Sequence, residues 1–308
     1  GLLEACDRVG LPIVLMVHDD WLIYGSILDR WSKRWKHLGL LGRLAEPIMR
    51  VPCRRRDLGE FAVAWFASEH TRRGADMSGG VRFRRSTIGY CPLNTNEFPI
   101  GAHQPSDGWS WRILHVGRID ERKGIDTVIR ALGLLPDEAT LEIVGRGDDS
   151  YLTTLRDLIR SEGLDDRVRI EVVDRAQLAA RYAAADVVTF VPRWAEPFGL
   201  VPLEAMACAT PVVGTGTGGS GEFLLDDVNC LRATVDDPHT LATAIRRLAA
   251  DRPLRARLVE MGERTAREFA IDAYIERLLA WHQAVAERGK NGWPAHRSTI
   301  GEALHVRS

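Results

Sequence analysis

Residues 194–221 read WAEPFGLVPLEAMACATPVVGTGTGGSG. They follow a short apolar run, Val187 to Val191, and lead through Pro197, Phe198 and Gly199 into a helical pattern carried by Leu200, Leu203 and Ala207. A helix that starts after Gly199 offers unpaired backbone N–H groups and the positive end of its dipole, where an anion binds well. Two carboxylates eight positions apart, Glu196 and Glu204, flank that place.

A carboxylate beside a phosphate is repulsive, so the natural use of the two acids is to accept hydrogen bonds from hydroxyls. A ligand with a phosphate in the middle and hydroxyls on both sides is a sugar nucleotide. The bland alternative makes Glu196 a solvated loop acid and Glu204 a surface helix acid. A second block, HVGRIDERKGIDTVIRAL from His115 to Leu132, argues against it. Arg118 and Lys123 lie there on the loop leaving an expected strand at 112–116, at the carboxyl edge where Glu196 also emerges. Two cations at that edge can neutralise a diphosphate leaving group.

The stretch EPFGLVPLEAMACATPVV, with glycines and Glu222 following, resembles the donor-binding signature of the retaining glycosyltransferases of family 4, the glycosyl transferases group 1. The His115–Leu132 block is similar to the same family's diphosphate-binding segment, and SEHTRR (68–73) to a strand-to-helix segment late in its N-terminal domain. The resemblance implies the α/β GT-B fold, two facing Rossmann-like domains with doubly wound parallel sheets, the N-terminal one incomplete here. It also implies transfer of a sugar from a nucleotide-sugar donor, UDP- or GDP-linked, to a sugar, glycolipid or small-molecule acceptor with retention of anomeric configuration. In the family no metal or other cofactor is commonly required and the leaving phosphate takes the acceptor's proton, so no protein base is assigned.

Carried over residue by residue, the resemblance gives Glu204 the ribose hydroxyls and Glu196 the sugar hydroxyls near the anomeric carbon. The amides of Phe198, Gly199 and Leu200 would meet sugar and diphosphate. Gly117, beside Arg118, joins the donor-binding group, Gly145 and Gly147 would let the backbone pass close to the nucleoside, and Val173 and Asp174 would lie near the base. His18, in the HDDW string, would lie near the donor sugar. Pro92 to Thr95 replaces the family's usual Asn-Gly-Val-Asp-like turn, and Cys230-Leu231 its usual Gly-Leu.

Strands are expected at 13–17, 61–68, 112–116, 141–144, 168–173, 187–191 and 211–213, with helices between and over 240–249, 253–269 and 273–286. Regular alternation in the later part predicts a parallel, doubly wound sheet. The domains are placed at 1–101 (partial N-terminal, acceptor side), 102–270 (donor-binding) and 271–289 (a helix returning to the N-terminal domain), with a frayed tail at 290–308. The Pro-, Gly- and Ser-rich run 99–110 suits a linker. Only one helix and one strand precede His18, whereas a full N-terminal domain needs roughly 100 further residues, so the chain is read as truncated.

The chain's 308 residues, 45% hydrophobic and 27% charged, suit a globular protein of about two domains, and the net charge of −1 favours no class of partner. Between Arg30 and Arg56 stand nine Lys or Arg against one acid, Glu46. Trp31, Trp35, Leu38 and Leu41 recur there at helical spacing, as on a helix lying at an anionic membrane surface or on an amphipathic helix packed on its own domain. Arg82, Arg84 and Arg85 extend the basic character. Nucleic acid fits poorly, with no recognition motif and no overall basic charge. Five cysteines without a CxxC pair indicate neither a disulfide framework nor a zinc site, and no apolar run is long enough to span a bilayer. A cytoplasmic location is expected, with the basic stretch peripheral at the inner face of the membrane. Gly214, Gly216 and Gly219 spell GxGxxG, so an NAD(P)-binding oxidoreductase is the rival enzyme; against it, the run follows the fifth strand of its domain and not the first. A non-catalytic chain that binds nucleotide sugar is the third reading.

Overall fold

Apolar runs without alternation are expected to form strands covered on both faces; the run at 61–68 does so, whereas in the run at 13–17 only Val17 is buried and Met16 is exposed. In the computed structural model, residues 2–22, 41, 44–45, 48, 58–77, 83, 85–103 and 108–288 are described. The basic stretch from Arg30 to Arg56, apart from residues 41, 44–45 and 48, lies outside them, as do Arg82, Arg84 and the tail at 290–308. Two compact units result, one of Pro92–Ala273 and one of Gly1–Cys91 with Tyr274–Ser308.

The first unit opens with α1 (Leu2–Arg8), closed by Gly10. Strands β1 (Val14–Val17), β2 (Val63–Phe66) and β3 (Ser86–Ile88) then pair in parallel in the order β1-β2-β3. Between β2 and β3, Ser68 caps α2 (Glu69–Met77), its Oγ accepting from the Thr71 N–H at 3.0 Å. All four residues of β2 are buried. Ala64 and Phe66 face Val17, Leu22 and Ala75, and the alternate residues Val63 and Trp65 face a second cluster of Tyr274, Trp281 and Val285.

The second unit is a six-stranded parallel sheet of β4 (Arg112–Val116), β5 (Thr140–Val144), β6 (Val168–Glu171), β7 (Val187–Phe190), β8 (Val212–Gly214) and β9 (Leu231–Arg232), in the order β6-β5-β4-β7-β8-β9. The chain winds outward from β4 to β6, then returns to start the other half at β7. Helices α3 (Ile125–Gly133), α4 (Asp149–Ser161), α5 (Leu178–Ala184), α6 (Val201–Ala207), α7 (Pro238–Ala250) and α8 (Arg252–Glu268) cover the sheet. Ile125, Val128, Ile129 and Leu132 fall on one face of α3 and are buried in the main core with Leu155, Leu241 and Ile245. Phe198, Phe223 and Phe269 pack ring on ring, with centroids 5.1 to 5.5 Å apart.

Two expectations are adjusted and one strand is added. The strand expected over 168–173 stops at Glu171, and β9 was not foreseen because two residues carry no periodicity. The unit boundary falls at Cys91/Pro92 and not at Gly101, because Leu93 exchanges backbone hydrogen bonds with Phe269 (2.8 Å) and Ile271 (3.0 Å), and Phe98 is buried against Tyr182 with ring centroids 5.8 Å apart.

The last helix, α9 (Ile271–Arg288), runs out of the second unit and supplies Tyr274, Trp281 and Val285 to the first. Trp65 meets Tyr274 edge to face at 5.8 Å and Trp281 at 6.1 Å. Trp65→Ala should cost about 3 to 5 kcal/mol through the cavity it leaves. Hydrogen exchange is the check: protection should fall in β2 and α9 while β4 stays as in the parent, and a uniform loss would show that the cluster does not act locally.

Candidate functional site

The reversal of winding between β4 and β7 makes them neighbours, with His115 opposite Thr189. In open parallel sheets the carboxyl ends at such a reversal are where ligands bind. The loops leaving these strands are fastened together. The Arg193 N–H donates to the Arg122 carbonyl at 2.8 Å. Gly124 has φ +69°, and a Cβ there would sit 2.3 Å from the Val191 carbonyl oxygen, so only glycine allows the approach. The Arg193 guanidinium reaches back to the start of α3, bonding Asp126 at 2.5 Å, Asp236, and the Glu121 carbonyl at 2.9 Å. Burial alone would raise the Asp126 carboxyl, but hydrogen bonds and charge from Arg193, with Arg130 beside it, hold it below the ordinary range.

At this junction the Lys123 ammonium meets Glu196 Oε1, and the Trp194 indole N–H donates to the same oxygen at 2.8 Å. Glu196 is only 6% exposed. The Arg122 guanidinium lies 4.7 Å over the Trp194 ring. The Glu196 loop rests on the glycine run: the Gly219 N–H donates to the Glu196 carbonyl at 2.7 Å and the Thr217 hydroxyl to the Trp194 carbonyl at 2.9 Å.

Glu204, on α6 and 4% exposed, has different company. The Tyr182 hydroxyl donates to its Oε2 at 2.8 Å and Arg175 Nη2 to its Oε1 at 3.3 Å. Arg175 also pairs with Glu97 and lies 5.3 Å over the Phe98 ring. Burial raises the Glu204 carboxyl above its ordinary range, with Tyr182 and Arg175 opposing. Beneath the junction His115 is buried, its Nδ1 3.1 Å from Thr189 Oγ1. Burial, assisted by the nearby Lys123 charge, lowers its pKa to about 4, so it is a neutral imidazole at physiological pH.

The remaining expected residues are placed as follows. Phe198 is buried in the phenylalanine cluster, its ring packed on Phe223 and Phe269. Gly199 and Leu200 precede α6, which has seven residues and Pro202 in its first turn, a residue without an N–H to offer. Arg118 is exposed on the β4 loop and paired with Asp120 at 2.7 Å, and Gly117 beside it has open space where a side chain would project. A Cβ at Gly145 would lie 1.8 Å from the Gly117 carbonyl oxygen, and one at Gly147 would lie 2.2 Å from that of Ile119. The two glycines therefore let the β5 loop press on the β4 loop. Val173 is half-buried, and Asp174 makes a capping box with Gln177 at the 3-10 turn 175–177. His18 follows β1 in the other unit, its Nδ1 3.6 Å from Cys91 Sγ. Among the described residues no His, Cys, Asp or Glu cluster is arranged to hold a metal ion, and no helix is long and apolar enough to cross a membrane.

Residues 102–265 match the family described as Glycosyl transferases group 1. The chain belongs to this family. Among curated group 1 relatives, it is 38% identical over 179 residues to a D-inositol 3-phosphate glycosyltransferase of Xylanimonas cellulosilytica, covering 57% of this chain and 43% of that one. A Salinispora tropica protein of the same name is 37% identical over 187 residues, covering 57% and 39%. The matched stretch thus spans about two fifths of these relatives' length. Among solved structures, Alr3699/HepE of Anabaena in complex with UDP superposes with TM-score 0.74 at 23% identity, over 92% of this chain and 75% of that one. Sucrose-phosphate synthase of Thermosynechococcus elongatus gives 0.71 at 22%, over 92% and 70%. These likenesses establish the GT-B fold.

Of the residues around this edge, Glu196, Glu204 and Lys123 are among those expected from the sequence, and their partners Trp194, Arg175, Tyr182 and Glu97 are not. Trp194 lay inside the decisive stretch, where an indole two residues from a carboxylate was the available signal. The other three come from distant segments, and no spacing betrays them. The glycine run is also explained. β8 leads into a short 3-10 helix (Gly218–Glu222), not the α-helix a dinucleotide fingerprint opens, and Gly218 lies where a Cβ would be 2.3 Å from the Glu196 carbonyl oxygen. The neutral His115 supplies a pH test. Its folded pKa lies below the unfolded value, so its contribution is intact above pH 6.5 and is lost as pH falls towards 4. Between pH 7 and 4.5 the parent should lose roughly 2 to 3 kcal/mol more than His115→Gln in urea unfolding; equal losses would mean that His115 is protonated in the fold.

Proposed function

We propose that this chain carries the donor site of a glycosyltransferase that moves a sugar from a UDP- or GDP-sugar to an acceptor with retention of anomeric configuration. The observation that carries the reading is the Lys123–Glu196 pair at the junction of the β4 and β7 loops. An ammonium and a carboxylate meet there at the sheet's reversal, with Arg118 on the same loop and Glu204 eight residues on. Group 1 membership and the UDP and UDP-glucose named in the HepE complexes support it.

In this reading Lys123 and Arg118 hold the diphosphate and stabilise the charge it gains as the glycosyl–phosphate bond breaks. Trp194 and Lys123 occupy Oε1 of Glu196, which leaves Oε2 to accept from a sugar hydroxyl near the anomeric carbon. Glu204 takes the ribose hydroxyls. The amides of Phe198, Gly199 and Leu200 add contacts to sugar and diphosphate, Gly117 opens the floor beside them, and Val173 and Asp174 border the base. The departing phosphate oxygen accepts the acceptor's proton, so no side chain is required as base.

Calorimetric titration with UDP, GDP and NADH tests the site. UDP or GDP should bind, and Lys123→Ala should weaken binding by about 1 to 3 kcal/mol. Because that change strands a buried carboxylate, Lys123→Ala with Glu196→Gln serves as the folded control. Binding of NADH alone would overturn the reading. A second test concerns turnover: Glu196→Gln should abolish sugar transfer while nucleotide affinity stays within about twofold of the parent, and unchanged turnover would remove its assigned role.

A further inference from the structure

The two site carboxylates differ in their surroundings, and those of Glu204 are the more elaborate. It is buried on α6, yet each oxygen is met by a separate donor from a different segment: Oε2 by the Tyr182 hydroxyl of α5 at 2.8 Å, and Oε1 by Arg175 Nη2 at 3.3 Å. Both donors are themselves held. Tyr182 is fully buried, packed against Phe98, and its own carbonyl accepts from the Thr210 hydroxyl at 2.7 Å. Arg175 is fixed by Glu97 on its other side and by the Phe98 ring beneath it. A side chain with two directed donors on a rigid frame has one orientation, and a carboxylate that must accept from two vicinal hydroxyls needs that.

We infer that Tyr182 and Arg175 are positioning residues for nucleotide recognition: by donating to Glu204 they fix its carboxylate in the orientation that accepts the ribose hydroxyls. The inference rests on the donor-site reading above and adds residues to it.

The chemistry gives this role a pH signature. The charged or titratable groups facing Glu204 are Tyr182 on α5, Arg175 on the 3-10 turn, Glu97 on the segment before the sheet, and Cys208 at the C-cap of α6. Burial raises the Glu204 carboxyl, and Glu97 adds to the rise, while hydrogen bonds from Tyr182 and Arg175 and the Arg175 charge bring it down. Burial, with Glu204 nearby, raises the Tyr182 hydroxyl well above its ordinary value and pushes the Cys208 thiol to about 12, so both stay neutral and Tyr182 remains a donor over the working range. Nucleotide affinity should therefore fall as pH falls and Glu204 takes up a proton. Without the Tyr182 hydroxyl that fall should begin at higher pH.

The experiment titrates UDP and GDP, and the 2′,3′-dideoxy form of whichever binds, against the parent, Tyr182→Phe, Arg175→Gln and Glu204→Gln from pH 5.5 to 8. Tyr182→Phe is expected to lose roughly tenfold in affinity for the ribonucleotide at pH 7.5, to show its acid-side loss at higher pH than the parent, and to bind the dideoxy form as the parent does. In a Glu204→Gln background the Tyr182→Phe effect should vanish. Arg175→Gln, a change at a half-exposed side chain, should move in the same direction and decides the matter where Tyr182→Phe does not fold. Ribonucleotide affinity and pH profile unchanged in both variants, or an equal loss for the dideoxy form, overturns the inference while leaving the donor site standing. A parent that binds neither UDP nor GDP overturns the donor site itself.

Discussion

The contact between Lys123 and Glu196 constrains everything around it. A carboxylate this deeply covered is costly without a partner, and a cation brought to it only repays the desolvation if the geometry is held. The sheet meets that condition by placing β4 beside β7, so that loops from segments 73 positions apart in the sequence leave side by side. Gly124 permits the close approach, Arg193 ties one loop to the foot of α3, and the glycine run after β8 lies beneath the Glu196 backbone. Each of these would be unremarkable alone. Together they keep two opposite charges in register at the edge where a parallel sheet receives its ligands.

Glu196 and Glu204 share one continuous stretch of sequence but not one environment. The first is served by an ammonium and an indole N–H converging on a single oxygen. The second has a donor on each oxygen and depends on burial being offset by hydrogen bonds. Two acids of the same kind thus acquire different sets of donors from their neighbours alone.

The sequence made local features legible. Unbroken apolar runs announced the buried strands, the i, i+3, i+4, i+7 spacing announced α3, and Glu196, Glu204 and Lys123 stood in two contiguous blocks. What lay between segments was hidden. Tyr182 is 22 positions from Glu204 and Arg175 is 29, and neither distance has a period to detect. Gly145 and Gly147 read as letting the backbone pass close to a nucleoside, and a Cβ at either would meet the Gly117–Ile119 backbone. The family turn absent at Pro92 to Thr95 gave no hint that Leu93 would pair with the chain beyond α8. Small residues record that something approaches closely, not what does.

The helix that closes on Trp65 bears on the order in which this chain matures on the ribosome. The second unit is one uninterrupted segment, Pro92–Ala273, and can assemble once that segment has emerged. The first unit is not, because one face of β2 packs on Tyr274, Trp281 and Val285, which lie beyond the second unit in the sequence. The face of β2 that bears Val63 and Trp65 is therefore completed by residues synthesised only after the whole of the second unit.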